Sequence, residues 1–232
     1  MNLRTSARLL ALGALLAAAL GISACTQAPA PTAPEASSGN ASSSTSQSES
    51  TSPTEGSALY TPQYKLNGAE TAVIKTNKGT IKVKFFEKDA PIAAANFIEL
   101  TRKGFYDGIK FHRFVDGFVI QGGDPQTKSA SSQEVAASDA NGQGKFGTGG
   151  PGHTIKDEYS GNPNKHVDGT LAMARTNAPD SGGSQFYFAL APLPQLDGQY
   201  TVFGQTTSGL DVVHALRAGD VIESITVENA TK

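Results

Sequence analysis

The sequence predicts a mainly β protein, built as a closed antiparallel barrel with helices capping its ends. Three features of residues 59–232 lead to this prediction. They are many short apolar segments of strand length, only two segments with helical spacing, and glycine-rich turns between them. This stretch is long enough for a single domain with a sizeable core.

The first predicted elements are a β-hairpin and a helix. Residues 72–76 and 80–86 alternate apolar and polar side chains on either side of the turn sequence Asn77-Lys78-Gly79. Asp89-Ala90-Pro91 then marks a helix start, with proline near the first turn. Apolar residues follow at helical spacing until Lys103-Gly104 ends the helix.

The next stretch, FHRFVDGFVIQGGD at 111–124, predicts two short strands joined by a tight turn at Asp116-Gly117. Three polar side chains, His112, Arg113 and Gln121, lie within this apolar sequence. A guanidinium beside aromatic rings is costly to desolvate unless it is hydrogen-bonded or has a function. Arg113 is therefore either a functional cation or an edge-strand residue held in a salt bridge.

Residues 126–146 form a polar insertion with little pattern, and further strands and a helix follow it. The match of 142–147 to the dinucleotide fingerprint G-x-G-x-x-G is rejected, because no strand precedes it and no helix follows. Strands are predicted at 170–174, 185–190, 200–203 and 222–227, and a second helix at 209–218.

Residues 1–25 have the layout of a secretory signal, with a basic start, a short apolar run and small residues before Cys25. The sequence Ile22-Ser23-Ala24-Cys25 resembles a bacterial lipobox, which implies a lipoprotein signal peptide and lipidation of Cys25. The alternative is an ordinary signal that is cleaved nearby. Cys25 is the only cysteine, so it has no intrachain disulfide partner.

Residues 26–58 are predicted to be a disordered Ser/Thr/Pro-rich tether, since they contain no periodic apolar residues that could offset the entropy of folding. The expected location is extracytoplasmic, with the folded domain lipid-anchored to a membrane. Thr26 rather than Asp follows the cysteine, which resembles a signal for the outer membrane, but the cell membrane remains the alternative.

Charge and residue spacing exclude several functional classes. The net charge is −2 without a run of Lys or Arg, so no nucleic-acid partner is expected. The four histidines show no ligand-like spacing with cysteine or carboxylate, so neither a metal site nor a cofactor is expected. Residues 182–186 do not form a nucleophile elbow, which argues against a hydrolase.

Several ordered blocks between 111 and 204 resemble the cyclophilin-type peptidyl-prolyl cis-trans isomerases. The blocks are FHR, GF, QGGD, GTGGPG, SQFYF and LDGQYTVFG. The resemblance implies an eight-stranded barrel with two helices and cis–trans isomerase activity without a cofactor. It also implies that the partners are proline-containing segments of exported or unfolded proteins. A monomer is expected.

The resemblance also assigns site residues. Arg113 is the implied catalytic residue, and Gln121 would hydrogen-bond the substrate backbone or fix the Arg113 rotamer. The implied substrate-binding residues are Phe118, Val119, Gly147, Ala174, Arg175, Gln185, Tyr187, Leu196 and Tyr200. Each apolar member of this set has an alternative role as an ordinary core residue.

Four positions depart from the usual family pattern. Gln195 stands where an aromatic residue is usual, Arg175 where Asn is usual, Tyr187 where Phe is usual and Tyr200 where His is usual. Without an aromatic at Gln195, binding of cyclosporin is expected to be weak. The same departures leave an alternative function open, in which the fold holds proline segments as a non-catalytic chaperone or adhesion module.

Overall fold

The computed structural model describes residues 59–140 and 144–229. The predicted signal peptide (1–25), its lipidation site Cys25 and the predicted tether (26–58) lie outside the described residues. None of the helices within the described ranges has the length and apolarity needed to cross a bilayer.

The described chain forms eight strands and three α-helices. The strands are β1 (Glu70–Thr76), β2 (Gly79–Phe85), β3 (Arg113–Val115), β4 (Val119–Gly122), β5 (Thr170–Met173), β6 (Phe186–Ala189), β7 (Val202–Ser208) and β8 (Ile222–Asn229). The helices are α1 (Pro91–Arg102), α2 (Ser132–Ala140) and α3 (Leu210–Ala215), with 3₁₀ turns at Pro125–Ser129 and Pro194–Leu196. The mainly β prediction and all eight predicted strand positions are confirmed within a few residues.

All eight strands form one antiparallel sheet in the order β3-β4-β6-β5-β7-β2-β1-β8, which curls into a half-barrel. The predicted closure of the barrel is not confirmed, because β3 and β8 are the two ends of the sheet and share no ladder. An isolated bridge between Lys110 and Val221, with main-chain hydrogen bonds of the neighbouring residues, joins the segments just before these two strands. Beyond that bridge β3 pairs with β4 alone.

A third helix, α2, lies in the insertion where the sequence predicted no regular structure. Val135 is its fully buried residue, and the Asp139 carboxylate accepts the main-chain N–H of Phe114 at 3.1 Å. This N–H lies in β3, so the helix supplies a partner to the strand at the end of the sheet. Such cover reduces the exposure of an unpaired strand edge.

The main core lies inside the curled sheet, where α1 packs on its concave face. Phe97 of α1 is fully buried, and its ring centroid is 5.4 Å from that of Phe186 and 5.6 Å from that of Phe203. Alternate strand residues point inward, so Ile120, Phe188 and their neighbours fill this core. The residues between them point to the opposite, outer face.

The amino end of α1 has no capping side chain of its own, because the preceding residue is Ala90. Its first N–H groups are instead bonded by a distant carboxylate. Glu158 accepts from the N–H of Ile92 at 2.9 Å and from that of Ala93 at 2.8 Å. A negative charge there also interacts favourably with the helix dipole.

Candidate active site

Directly opposite residues of four adjacent strands form a row of side chains on the outer face of the sheet. Arg113 of β3 lies directly opposite Gln121 of β4, which lies opposite Tyr187 of β6, and Tyr187 in turn lies opposite Ala172 of β5. Residues directly opposite each other in an antiparallel pair share a face of the sheet. The pairing register thus brings the arginine, the glutamine and the tyrosine together on one surface.

A cavity of about 370 Å³ opens beside this row. Its lining residues are Arg113, Phe118, Val119, Gln121, Ala174, Arg175, Tyr187, Leu196 and Tyr200. All nine belong to the set that the sequence pointed to, and they come from five separate parts of the chain. We call this space the proline cavity below.

The apolar members of the proline cavity belong to a second, smaller cluster that is separate from the main core. Val119 and Tyr187 are buried in it, whereas Phe118, Leu196 and Tyr200 are only partly buried. The alternative in which Phe118 fills the barrel interior is therefore wrong for this structure. Partial exposure leaves these side chains able to contact a ligand.

The Arg113 guanidinium lies over an aromatic ring and has no acidic partner among residues 59–140 and 144–229. Its central carbon is 5.8 Å from the centroid of the Phe118 ring, within the range of a cation–π contact. The salt bridge considered as its alternative role is thus not found in the described part of the chain. The guanidinium donors remain available to a ligand in the cavity.

Gln121 hydrogen-bonds to another glutamine and not to Arg113 among the described residues, and its contact with substrate stays a prediction. Its Nε2 donates to Oε1 of Gln185 at 3.0 Å, and Nε2 of Gln185 donates to the carbonyl of Gly149 at 2.8 Å. This chain of amides orients Gln121 across the floor of the site. Its Oε1 has no hydrogen-bond partner among the described residues and can accept from a ligand.

A second cavity, of about 330 Å³, adjoins the first and holds the two remaining predicted residues, Gly147 and Gln185. It shares Gln121, Ala174 and Arg175 with the proline cavity. The two spaces form one groove, in which an extended peptide can lie with its proline at one end.

The loop that carries Gly147 is held by Asp124, a residue the sequence analysis did not assign to the site. Its fully buried carboxylate accepts the N–H groups of Gly147 and of Gly149, the latter at 3.2 Å. Gly147 has φ +107°, which favours glycine, and a Cβ at Gly149 would lie 2.1 Å from Oδ1 of Asp124. Because Asp124 directly precedes Pro125, the sequence indicates that it caps the 3₁₀ turn at Pro125–Ser129. Its bonds to Gly147 and Gly149 could not be read from the sequence, because these glycines lie more than 20 residues away.

Arg175 lines the proline cavity and is held there by contacts with two aromatic rings and a main-chain carbonyl. Its guanidinium carbon is 5.1 Å from the ring centroid of Tyr159 and 5.2 Å from that of Tyr200. Its Nε donates to the carbonyl of Gln199 at 2.9 Å. The side chain therefore ties the loop that follows β5 to the loop that carries Leu196 and Tyr200.

Comparisons with known proteins show the family to which the chain belongs. A family model for the cyclophilin type peptidyl-prolyl cis-trans isomerases matches residues 71–232. A peptidyl-prolyl cis-trans isomerase of Helicobacter pylori is 47% identical over 156 residues, which cover 66% of this chain and 84% of the relative. Isomerase B of Bacillus subtilis is 43% identical over 148 residues, covering 64% and 90%.

Solved structures give the same assignment. A crystal structure of a Cryptosporidium parvum cyclophilin-type isomerase matches with a TM-score of 0.58 at 28% identity, covering 70% of this chain and 99% of that one. A second structure of that protein, in the presence of the dipeptide Ala-Pro, matches with a TM-score of 0.55 at 29% identity, covering 68% and 99%. The chain belongs to the cyclophilin-type peptidyl-prolyl cis-trans isomerase family. It is an isomerase of the peptide bond that precedes proline.

Proposed function

We propose that the chain accelerates the folding of exported proteins by stabilising the twisted X–Pro amide without covalent chemistry. Rotation about this bond breaks amide resonance and crosses a barrier of about 20 kcal/mol. The proline cavity would hold the ring while the flanking carbonyl rotates. The Arg113 guanidinium would donate toward the proline carbonyl and approach the imide nitrogen as its lone pair localises.

One observation supports this proposal above the others. A guanidinium without an ion pair in the described residues lies beside a partly apolar cavity, directly across the strand pair from Gln121. Favouring the twisted amide requires a directed donor in a water-poor space. A single directed donor is worth about 3 kcal/mol in such sites, which corresponds to roughly 100-fold in rate.

Exchange NMR on a short peptide that contains Ala-Pro tests the role of Arg113. The full-length chain should accelerate cis–trans exchange, and Arg113→Ala should reduce the acceleration by roughly 100-fold. Arg113→Lys should give an intermediate rate, since it keeps the charge but not the planar fork of donors.

Arg102→Ala is the matched control. Arg102 is the last residue of α1, its guanidinium lies over the ring of Tyr64, and it does not line the groove. It should retain the rate of the unmodified chain. Acceleration that survives Arg113→Ala would remove Arg113 from its role. Peptide binding without acceleration in the unmodified chain would instead favour the chaperone or adhesion module.

The proposed location is outside the cytoplasm, with the domain anchored through a lipid on Cys25 and acting as a monomer on proline-containing segments. The lipobox-like sequence before Cys25 supports the anchor. Metabolic labelling with a radiolabelled fatty acid should mark the chain, and Cys25→Ser should abolish the label. A label that persists in Cys25→Ser would contradict the anchor. The molar mass from light scattering should be that of one chain if the protein is a monomer.

A further inference from the structure

Two buried side chains, His166 and Tyr187, and the partly exposed Asp197 form a hydrogen-bonded chain beside the proline cavity. Nε2 of His166 is 2.9 Å from the hydroxyl of Tyr187, and its Nδ1 is 3.0 Å from Oδ1 of Asp197. The His166 side chain is 0% exposed. Its imidazole is therefore a link between two other groups and does not touch substrate.

The direction of each hydrogen bond follows from the chemistry of the three groups. Burial lowers the pKa of His166, although Asp197 opposes this effect, so the ring is neutral at pH 7. An Asp197 carboxylate only accepts, so Nδ1 carries the proton and Nε2 is the acceptor. The Tyr187 hydroxyl must then donate to Nε2.

His166 also fixes both ends of the 3₁₀ turn that carries Leu196. Its carbonyl accepts the N–H of Leu193 at 2.8 Å, just before the turn begins. Its main-chain N–H donates to Asp197, the residue directly after Leu196, at 2.9 Å. The turn forms one wall of the proline cavity, and Tyr187 forms its floor.

The hydroxyl of Tyr187 makes the link to His166 possible. A phenylalanine at this position would have no hydroxyl to reach His166. A buried hydroxyl without a partner is destabilising, so Tyr187 and His166 depend on each other. Through this bond, the floor of the cavity is connected to the wall.

We propose that His166 is a positioning residue that sets the width of the proline cavity by holding the Leu196 wall against the Tyr187 floor. The ligand affected is the proline ring itself, so this inference rests on the proposed function. His166 acts on binding of the ring more than on amide rotation, because Arg113 lies two strands away from Tyr187.

Two substitutions remove the central hydrogen bond from opposite ends, and NMR titration of the full-length chain with an Ala-Pro peptide measures the result. His166→Asn keeps a group that reaches Asp197 but is too short for Tyr187, and Tyr187→Phe removes the hydroxyl alone. Each should weaken the Kd by about fivefold to tenfold, as expected for one buried hydrogen bond. In His166→Asn, the isomerisation rate of bound peptide should change by less than about threefold.

The double variant should bind about as weakly as each single variant, because all of them lose the same bond. His214→Asn is the matched control, since His214 also pairs with an aspartate, Asp168, at 3.0 Å, but lies outside the groove. It should bind peptide as the unmodified chain does. Independent, multiplicative losses in the double variant would overturn the inference.

Two-bond ¹H–¹⁵N spectra of the imidazoles give a readout independent of catalysis, and should place the His166 proton on Nδ1 at pH 7. A proton on Nε2 would overturn the inference, as would unchanged peptide affinity in both single variants. If His166→Asn does not fold, Tyr187→Phe and the spectra still decide. If the unmodified chain catalyses isomerisation and both single variants bind peptide with unchanged affinity, this inference is refuted but the proposed function is not. Arg113→Ala tests the proposed function separately.

Discussion

His112 lies directly before Arg113 and carries an imidazole whose two ring nitrogens are buried, with no hydrogen-bond partner among the described residues. Burial lowers the pKa of His112 to about 4. The ring is therefore neutral at pH 7. It places no additional positive charge beside the Arg113 guanidinium.

This lowered pKa predicts a loss of stability in acid. Above pH 6.5 His112 is neutral in both the folded and unfolded chain and makes no contribution. As pH falls from 6.5 to 4, the unfolded chain binds a proton that the folded chain does not, so stability decreases by about 3 kcal/mol. Urea unfolding at several pH values should show a larger loss in the unmodified chain than in His112→Phe, which keeps only the contributions of other groups such as His166. Parallel pH curves for the two proteins would refute the assignment.

Gln195 is the residue that sets the expectation for cyclosporin. It is exposed on the 3₁₀ turn and lines neither cavity, whereas its neighbour Leu196 does. Calorimetry should therefore give weak binding of cyclosporin, and Gln195→Trp should strengthen it by about tenfold through added aromatic contact area. Gln195→Ala serves as the control and should remain weak. Nanomolar affinity of the unmodified chain would contradict this prediction.

At the scale of the elements, α1 depends on a residue far from it in the sequence. Because Glu158 accepts two N–H groups of the first turn, Glu158→Ala should reduce the free energy of unfolding by about 2 kcal/mol. Glu228→Ala is the control, since its 3.4 Å ion pair with Lys82 is exposed and should contribute less than about 1 kcal/mol. Urea unfolding of both variants measures the difference. Equal effects would show that the carboxylate does not cap α1.

The insertion helix α2 is expected to protect the end of the sheet. Asp139→Ala removes the acceptor of the Phe114 N–H, so that amide should exchange with solvent about tenfold faster. Asp139→Asn keeps an acceptor oxygen and should show a smaller increase. Hydrogen exchange followed by NMR measures both, with the amide of Ile120 in β4 as an internal reference. An unchanged rate at Phe114 would mean that α2 does not cover β3.

For the molecule as a whole, the strands and the first and last helices follow from local pattern, whereas α2 and the site geometry do not. Strand β2 alternates apolar and polar residues, and β5 and β6 are short, largely apolar runs; the sequence displays both patterns directly. Helix α2 has Val135 as its buried residue, so it leaves no apolar period to detect. Gln121 and Gln185 are far apart in sequence, and only the register of β4 against β6 brings them together.

The sheet order also separates neighbours in the chain. Strand β1 is bonded on one edge to β2, which follows it directly, and on the other to β8, which is the last strand. The ribosome makes the chain from its amino end, so β1 keeps one edge unpaired until β8 has emerged. An unpaired edge is a template for association with other strands, and such distant pairing also slows folding. This prolyl isomerase is thus itself exposed to aggregation from the synthesis of β1 until that of β8.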